Sequence, residues 1–246
     1  LLIGAGGLGL GGCAAANPST EGGLVVGSRF EVVETKVSAS AVRAADISLD
    51  VAGLLRYITI GDDSTARLIV ERGSTRPEWT VTRRESKGDG DEPKLVSEQR
   101  LVLLADGSVA IAEEIVHDEG VEVVFEPPMV VMPTELREGG PFVQQLKMTV
   151  HPLGNRKRTK ASGEVESTIE LVGDEQLETE AGRLETRHVR HIFVAKLKPA
   201  EVSNTTDQWY MDRIGRVAER RREQTKVMGI QIRSNQEDWV IERMPG

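Results

Sequence analysis

Apolar and polar residues alternate with a period near two along most of this chain. The pattern is plain in Arg29-Phe30-Glu31-Val32-Val33-Glu34-Thr35-Lys36-Val37, in residues 66–72 and 78–83, and most cleanly in residues 163–173. Residues two apart on a strand share a face, so this alternation predicts half-buried strands. Turn signals fall between them. Asp106-Gly107 predicts a hairpin joining residues 99–104 to 108–116. His117-Asp118-Glu119-Gly120 turns into Val121-Glu122-Val123-Val124-Phe125, and Lys87-Gly88-Asp89-Gly90-Asp91-Glu92-Pro93 reads as a solvated loop. Further on, residues 175–179 and 184–197 flank Glu180-Ala181-Gly182-Arg183. Residues 207–211 and 217–221 flank Asp212-Arg213-Ile214-Gly215-Arg216, and residues 226–232 and 239–242 close the series. Gly182 and Gly215 are expected in these turns, at least one with positive φ. Short strands at such spacing predict an all-β fold: an antiparallel meander, half-barrel or sandwich, in one large domain or two packed halves. Residues 39–55 admit helix by their alanines or strand by their alternation, with strand favoured by their neighbours.

Phe125-Glu126-Pro127-Pro128-Met129-Val130-Val131-Met132-Pro133 interrupts the pattern. Proline cannot donate to a ladder, so this stretch predicts an edge, a crossover or a linker. It separates an N-terminal β region, 24–126, from a C-terminal one, 127–246. No exact internal repeat relates them.

The opening residues follow another logic. Leu1-Leu2-Ile3-Gly4-Ala5-Gly6-Gly7-Leu8-Gly9 is apolar, and Leu10-Gly11-Gly12-Cys13 follows it. Next comes the small, turn-rich stretch 14–23. Gly4-x-Gly6-x-x-Gly9 matches a dinucleotide fingerprint, but that loop must open a helix within a βαβ unit. Gly11, Gly12 and Asn17-Pro18 oppose the helix, and no βαβ alternation follows. Leu10-Gly11-Gly12-Cys13 resembles instead the lipobox of bacterial lipoproteins. That resemblance implies removal of residues 1–12 as a signal peptide, lipidation of Cys13, and a tether over 13–23. Neither an initiator Met nor a basic stretch precedes Leu1, so the chain reads as lacking its first residues.

Composition narrows the function. Beyond residue 12, about 234 residues suffice for one large all-β domain or two small ones. Aromatics are only 4% of the chain, which leaves core filling to Val, Leu and Ile. A net charge of −8 argues against general nucleic-acid binding, which rests on neutralising phosphates. Cys13 is the single cysteine; once lipidated, it leaves no thiol for disulfides, thiol catalysis or thiolate metal sites.

The second half resembles the DUF3108-like group of bacterial envelope proteins. The likeness rests on Val131-Met132-Pro133 and Leu136, on Glu170-Leu171-Val172-Gly173, on Glu175 and Leu177 before Thr179-Glu180-Ala181-Gly182, and on Trp209-Tyr210-Met211-Asp212-Arg213-Ile214-Gly215-Arg216-Val217. Glu180 stands where the group has Pro, Arg183-Leu184 where it has Thr-Phe, and Arg213 where the first turn Gly is usual. The likeness covers residues 125–230 and implies a curved antiparallel sheet, with no catalytic residues to carry over.

Candidate chemistry is sparse. His188 and His191, three apart on a strand, point to opposite faces and cannot share one metal ion, so a surface strand is expected there. His117 lies in a turn and His151 precedes Pro152, neither with a visible partner. Asp62-Asp63 and Glu113-Glu114 are acid pairs, but strand neighbours face apart, which argues against carboxylate catalysis. Residues 155–160 form a basic loop. Arg216, Arg220, Arg221, Arg222 and Lys226 form a second basic cluster, suited to lipid phosphates or to a solvated face. Trp79, Trp209, Tyr210 and Trp239 fit core filling, or stacking on a ligand.

The reading that follows is a lipid-anchored cell-envelope protein with a non-enzymatic structural or binding role and neither cofactor nor metal. It faces the periplasm, and Ala14 in place of an aspartate favours the outer membrane. A carrier of a lipid or other amphiphile is one alternative, with Trp209 and Trp239 lining the ligand and Arg220, Arg221 and Arg222 at its rim. An envelope-polymer hydrolase is another. The partners expected are the membrane, through the Cys13 lipid, and a lipid or a second envelope protein, but no nucleic acid.

Overall fold

The computed structural model describes residues 30–36, 42–43, 54–60, 65–72, 78–86, 92–179, 182–212 and 214–241. Cys13, the Gly4–Gly6–Gly9 motif, Asp62-Asp63, the Trp79 side chain and most of residues 39–55 lie outside them. All the regular structure described is strand, with no helix. In chain order the strands are β1 (Phe30–Lys36), β2 (Val42–Arg43), β3 (Leu54–Ile60), β4 (Thr65–Arg72) and β5 (Glu78–Ser86). Next come β6 (Lys94–Leu103), β7 (Val109–Val116), β8 (Val121–Met132), β9 (Glu135–Leu136) and β10 (Phe142–Pro152). The last five are β11 (Ala161–Thr179), β12 (Gly182–Leu197), β13 (Ala200–Met211), β14 (Gly215–Val227) and β15 (Ile230–Ile241).

The protein is all-β and antiparallel, as the alternation predicts. Thirteen strands form one curled sheet in the order β1-β11-β10-β8-β7-β6-β5-β4-β3-β15-β14-β13-β12, and β2 pairs with β9 apart from it. β12 also pairs with β11, so the ladder returns on itself. The hairpins arise where the turn residues demand them. Gly107, Gly120, Gly182 and Gly215 all have positive φ, and Leu104 N–H closes the Asp106-Gly107 turn onto Ser108 O at 2.8 Å.

Pro127 and Pro128 fall inside β8, which runs through position 126/127, and Pro133 follows its end. β8 pairs with β10 only as far as Glu126↔Lys147. Beyond the prolines, a side chain replaces the missing strand. Val130 N–H donates to Gln144 Oε1 at 3.0 Å, and Gln144 Nε2 donates to Val130 O at 2.7 Å. Buried backbone polar groups left unpaired are costly, and Gln144 satisfies both the N–H and the carbonyl of Val130.

Residues paired across a ladder share a face. Val165, Ile169 and Leu171 on β11 thus join Val189, Phe193 and Ala195 on β12, and pack with Phe125, Met129, Leu146 and Met148 into the larger apolar cluster. Phe193 is wholly buried, a burial worth roughly 1.5–3 kcal/mol. The register then slips: Leu171 pairs with Val189, but Gly173 pairs with His188. His188 and Val189 are neighbours on an unbroken strand and point to opposite sides. Val172 is therefore a bulge that turns β11 over. Glu175 and Leu177 point away from Leu171, and Leu177 enters a second cluster with Leu184, Trp209, Val217 and Trp239.

Candidate functional site

The bulge at Val172 brings four polar side chains from three strands together on one face. His188 of β12 is the centre. Its Nδ1 lies 3.0 Å from Glu175 Oε1 and its Nε2 lies 2.9 Å from Asp207 Oδ1. Trp209, paired with His188 across β12 and β13, stacks on it at 4.6 Å and donates its indole N–H to Glu175 Oε2 at 2.7 Å. Arg190 Nε donates to Asp207 Oδ1 at 2.7 Å. Burial opposes the imidazolium, yet hydrogen bonds to Asp207 and Glu175 outweigh it and raise the His188 pKa. Burial likewise opposes ionisation of Asp207, and the His188 and Arg190 hydrogen bonds outweigh it, so its pKa falls. Both ring nitrogens of His188 are engaged, so the arrangement holds charge in place and leaves no nitrogen to accept a substrate proton.

A second polar group occupies the face of the larger cluster. Crossing β11, β12, β13, β14 and β15, one row runs Ile169, His191, Thr206, Arg221, Glu237. The apolar interior thus becomes charged towards β15. Arg221 Nη2 lies 2.5 Å from Glu237 Oε2. The Arg83 guanidinium lies 3.8 Å from the centre of the Trp239 ring and that of Arg221 lies 5.3 Å from it, distances at which a cation is attracted to the ring. Burial pulls Arg83 down to about 9, with Arg221 adding to the effect. Glu219 is buried too, but Arg216 and Arg221 hold it down at about 2. Glu114 is wholly buried, and burial raises its pKa against a hydrogen bond from Gln99. His191 is driven to about 3 by burial and stays neutral, with Ser167 Oγ 2.7 Å from its Nε2. That is nucleophile–base spacing. Both groups are buried in the core, however, and no carboxylate among the described residues is hydrogen-bonded to the ring.

The predicted site residues are scattered by strand alternation. Arg220 chelates Asp238 through Nε and Nη2 at 2.9–3.1 Å. Arg221 faces the opposite way, beside Glu237, and Arg222 Nη1 stands 3.8 Å from Asp207 Oδ2. Trp209 and Trp239 are both buried, each among charged groups. Glu113 and Glu114 face apart as expected: Glu113 bonds Arg100 and Arg156 while Glu114 points inward. Arg156 of the basic loop folds back onto Glu113 and Glu122.

Several side chains have partners that no local sequence pattern announces. His117 Nε2 lies 2.7 Å from Glu98, and His151 Nδ1 lies 2.9 Å from the Arg158 carbonyl. His188 and His191 do face apart, but both are buried, not on a surface strand. The usable signal was a change of phase. Leu184 and Thr186 keep step with His188, whereas Val189, Phe193 and Ala195 keep step with His191. A strand whose apolar phase flips is buried on both sides in turn. Among the described residues, no three His, Cys, Asp or Glu side chains are grouped to hold a metal ion.

No protein-family model and no curated protein matches the chain, so the DUF3108-like likeness rests on the motifs quoted above. Two solved structures are similar. A Bacteroides fragilis protein described as exported, with a YmcC-like fold, is 14% identical; the match covers 78% of this chain and 95% of that one, with a TM-score of 0.43. A Parabacteroides distasonis protein described as a lipoprotein is 10% identical over 78% of this chain and 94% of that one, with a TM-score of 0.39.

Proposed function

We propose that this chain is a bacterial cell-envelope lipoprotein, anchored through Cys13, whose all-β body has a binding or structural role and not a catalytic one. Leu10-Gly11-Gly12-Cys13 carries the reading: the single cysteine follows a lipobox-like triplet and precedes a small, polar tether. The site geometry supports the non-catalytic part. His188 is held from both sides by carboxylates, and Arg220 is chelated by Asp238. Ala14 in place of aspartate supports the outer membrane, with the body on the periplasmic face.

One acyl chain gives marginal membrane binding, whereas two or more hold a protein stably. Cys13→Ser is expected to release the protein into the soluble fraction. The intact mass of the membrane-extracted parent is expected to show a chain starting at Cys13 with acyl groups attached. An unmodified Cys13, or residues 1–12 still present, overturns the reading.

A further inference from the structure

We infer that the tip of the β14–β15 hairpin is a membrane-contacting element that places Met228, Ile230 and Ile232 in an anionic lipid surface. Val227 pairs with Ile230, so Met228 and Gly229 form a two-residue turn, with φ of 52° and 81°. Such turns favour Asn, Asp or Gly at the first position, because other side chains are strained there. This one has Met instead, and Met228 is 83% exposed. Ile230 and Ile232 follow on β15, 70% and 58% exposed, and Ile232 is the unpaired residue of a bulge between Gln231 and Arg233. A hairpin tip facing water gains nothing from a strained, exposed Met followed by two exposed isoleucines. A tip facing the acyl boundary gains from all three.

The arm overhangs the sheet. β3 pairs with β15 only at residues 238–241, so β14 is the sole neighbour of residues 230–237 among the described strands. Beside the tip lies the β12–β13 turn, where Met228 N–H reaches Pro199 O at 3.2 Å. Lys196, Lys198 and Lys226, with Pro199 and Gly229, border a cavity of about 240 Å³ there. The carboxylate in that border, Glu201, lies 4.0 Å from Lys226. The β10–β11 loop reaches the same end of the sheet and adds exposed Lys157, Arg158 and Lys160. An apolar apex rimmed by lysines matches an anionic bilayer: the apex enters the acyl boundary, and the lysine stems let the ammonium groups stay with the phosphates. A protein partner would call for a broad complementary face, whereas the apolar groups here crown a narrow arm.

The inference does not depend on acylation, so it is tested on the full-length Cys13→Ser chain. Flotation with vesicles of equimolar phosphatidylglycerol and phosphatidylcholine is compared with flotation on pure phosphatidylcholine. The chain is expected to bind the anionic vesicles, to bind pure phosphatidylcholine far less, and to release as salt is raised. Met228→Asn, which relieves the turn, and the pair Ile230→Thr/Ile232→Thr are each expected to weaken binding about tenfold with the fold intact by circular dichroism. Lys198→Glu/Lys226→Glu should abolish the preference for the anionic lipid. Failure of the parent to float with the anionic vesicles overturns the inference, as does undiminished binding by the tip variants. So does a self-association that Met228→Asn removes, which would make the tip a contact between copies of the chain.

Discussion

His188 and Trp209 lie ring on ring, 4.6 Å apart and 22° from parallel, and both reach the same carboxylate. Glu175 gives one oxygen to the imidazole and the other to the indole. Its rotamer is thereby fixed from two directions, and with it the height at which β11 meets β13. A residue bridging two strands that are not neighbours in the ladder ties the second cluster together where no backbone hydrogen bond can.

The His188 network sets a pH window. The His188 pKa is raised above 6.5, so its contribution is full below pH 6.5 and is lost as pH rises through the higher folded value. The Asp207 pKa is lowered below 3.8, so its contribution is full above pH 3.8 and is lost as pH falls through the lower folded value. His188→Gln is expected to cost roughly 3 kcal/mol, since it takes the imidazolium from buried Glu175, while Asp207 keeps Arg190. Thermal melts between about pH 5 and pH 9 should show the parent losing more stability than the variant as pH rises above 6.5. An equal slope in both contradicts the assignment.

Glu114 works in the opposite sense. Its pKa is raised above 4.5, so ionising it in the fold costs stability as pH rises from 4.5 towards the folded value. Glu114→Gln keeps an acceptor for Gln99 and removes that cost. It is expected to stabilise the protein at neutral pH by about 1 kcal/mol and to give no gain near pH 4. Denaturant titrations at the two pH values measure the difference.

Two glycines should respond differently to alanine. A Cβ at Gly163 would stand 1.9 Å from the Lys196 carbonyl oxygen, so Gly163→Ala must push β11 and β12 apart. A cost of about 3 kcal/mol or more is expected, at the upper end for overpacking. Gly182 has φ +108° with nothing within 4 Å of the added carbon, so Gly182→Ala pays strain alone, about 1–2 kcal/mol. Urea midpoints of the two variants should rank accordingly; the reverse order would refute the close approach.

Gln144→Leu is expected to cost about 2–3 kcal/mol, because the N–H and the carbonyl of Val130 both lose their side-chain partner in a buried setting. Amide exchange offers a local check: Val130 N–H should lose protection in the variant while Met148 N–H keeps its own.

What could be read in advance was local. The hairpins at Gly107, Gly182 and Gly215 were legible because a two- or three-residue turn is specified by the residues within it. The all-β class was legible because period-two alternation is a property of single strands. Neighbours far apart in sequence were not: nothing in residues 54–60 announces that β3 will pair with β15. The candidate site fell between these cases. The phase flip at His188 and Val189 was visible, but that Glu175 and Asp207 would meet His188 depends on two registers and a bulge. Similarly, Arg220, Arg221 and Arg222 formed one cluster on paper and divide between two faces in the fold, because a strand sends alternate residues opposite ways.

The return of β12 to β11 bears on how copies of this protein behave when crowded on a surface. A flat sheet of thirteen strands would expose two long rows of unpaired peptide groups, each a template for a neighbour's strand. Here the curled ladder consumes both rows. Among the stretches left open in the described strands, β1 is only seven residues long and contains Glu31, Glu34 and Lys36, the β15 overhang carries Arg233 and Glu237, and β8 beyond Pro128 is met at Val130 by the Gln144 side chain. Short length and charge are the features that discourage strand addition. Were copies crowded together by the proposed anchor, this closure would leave few templates for strand addition between them.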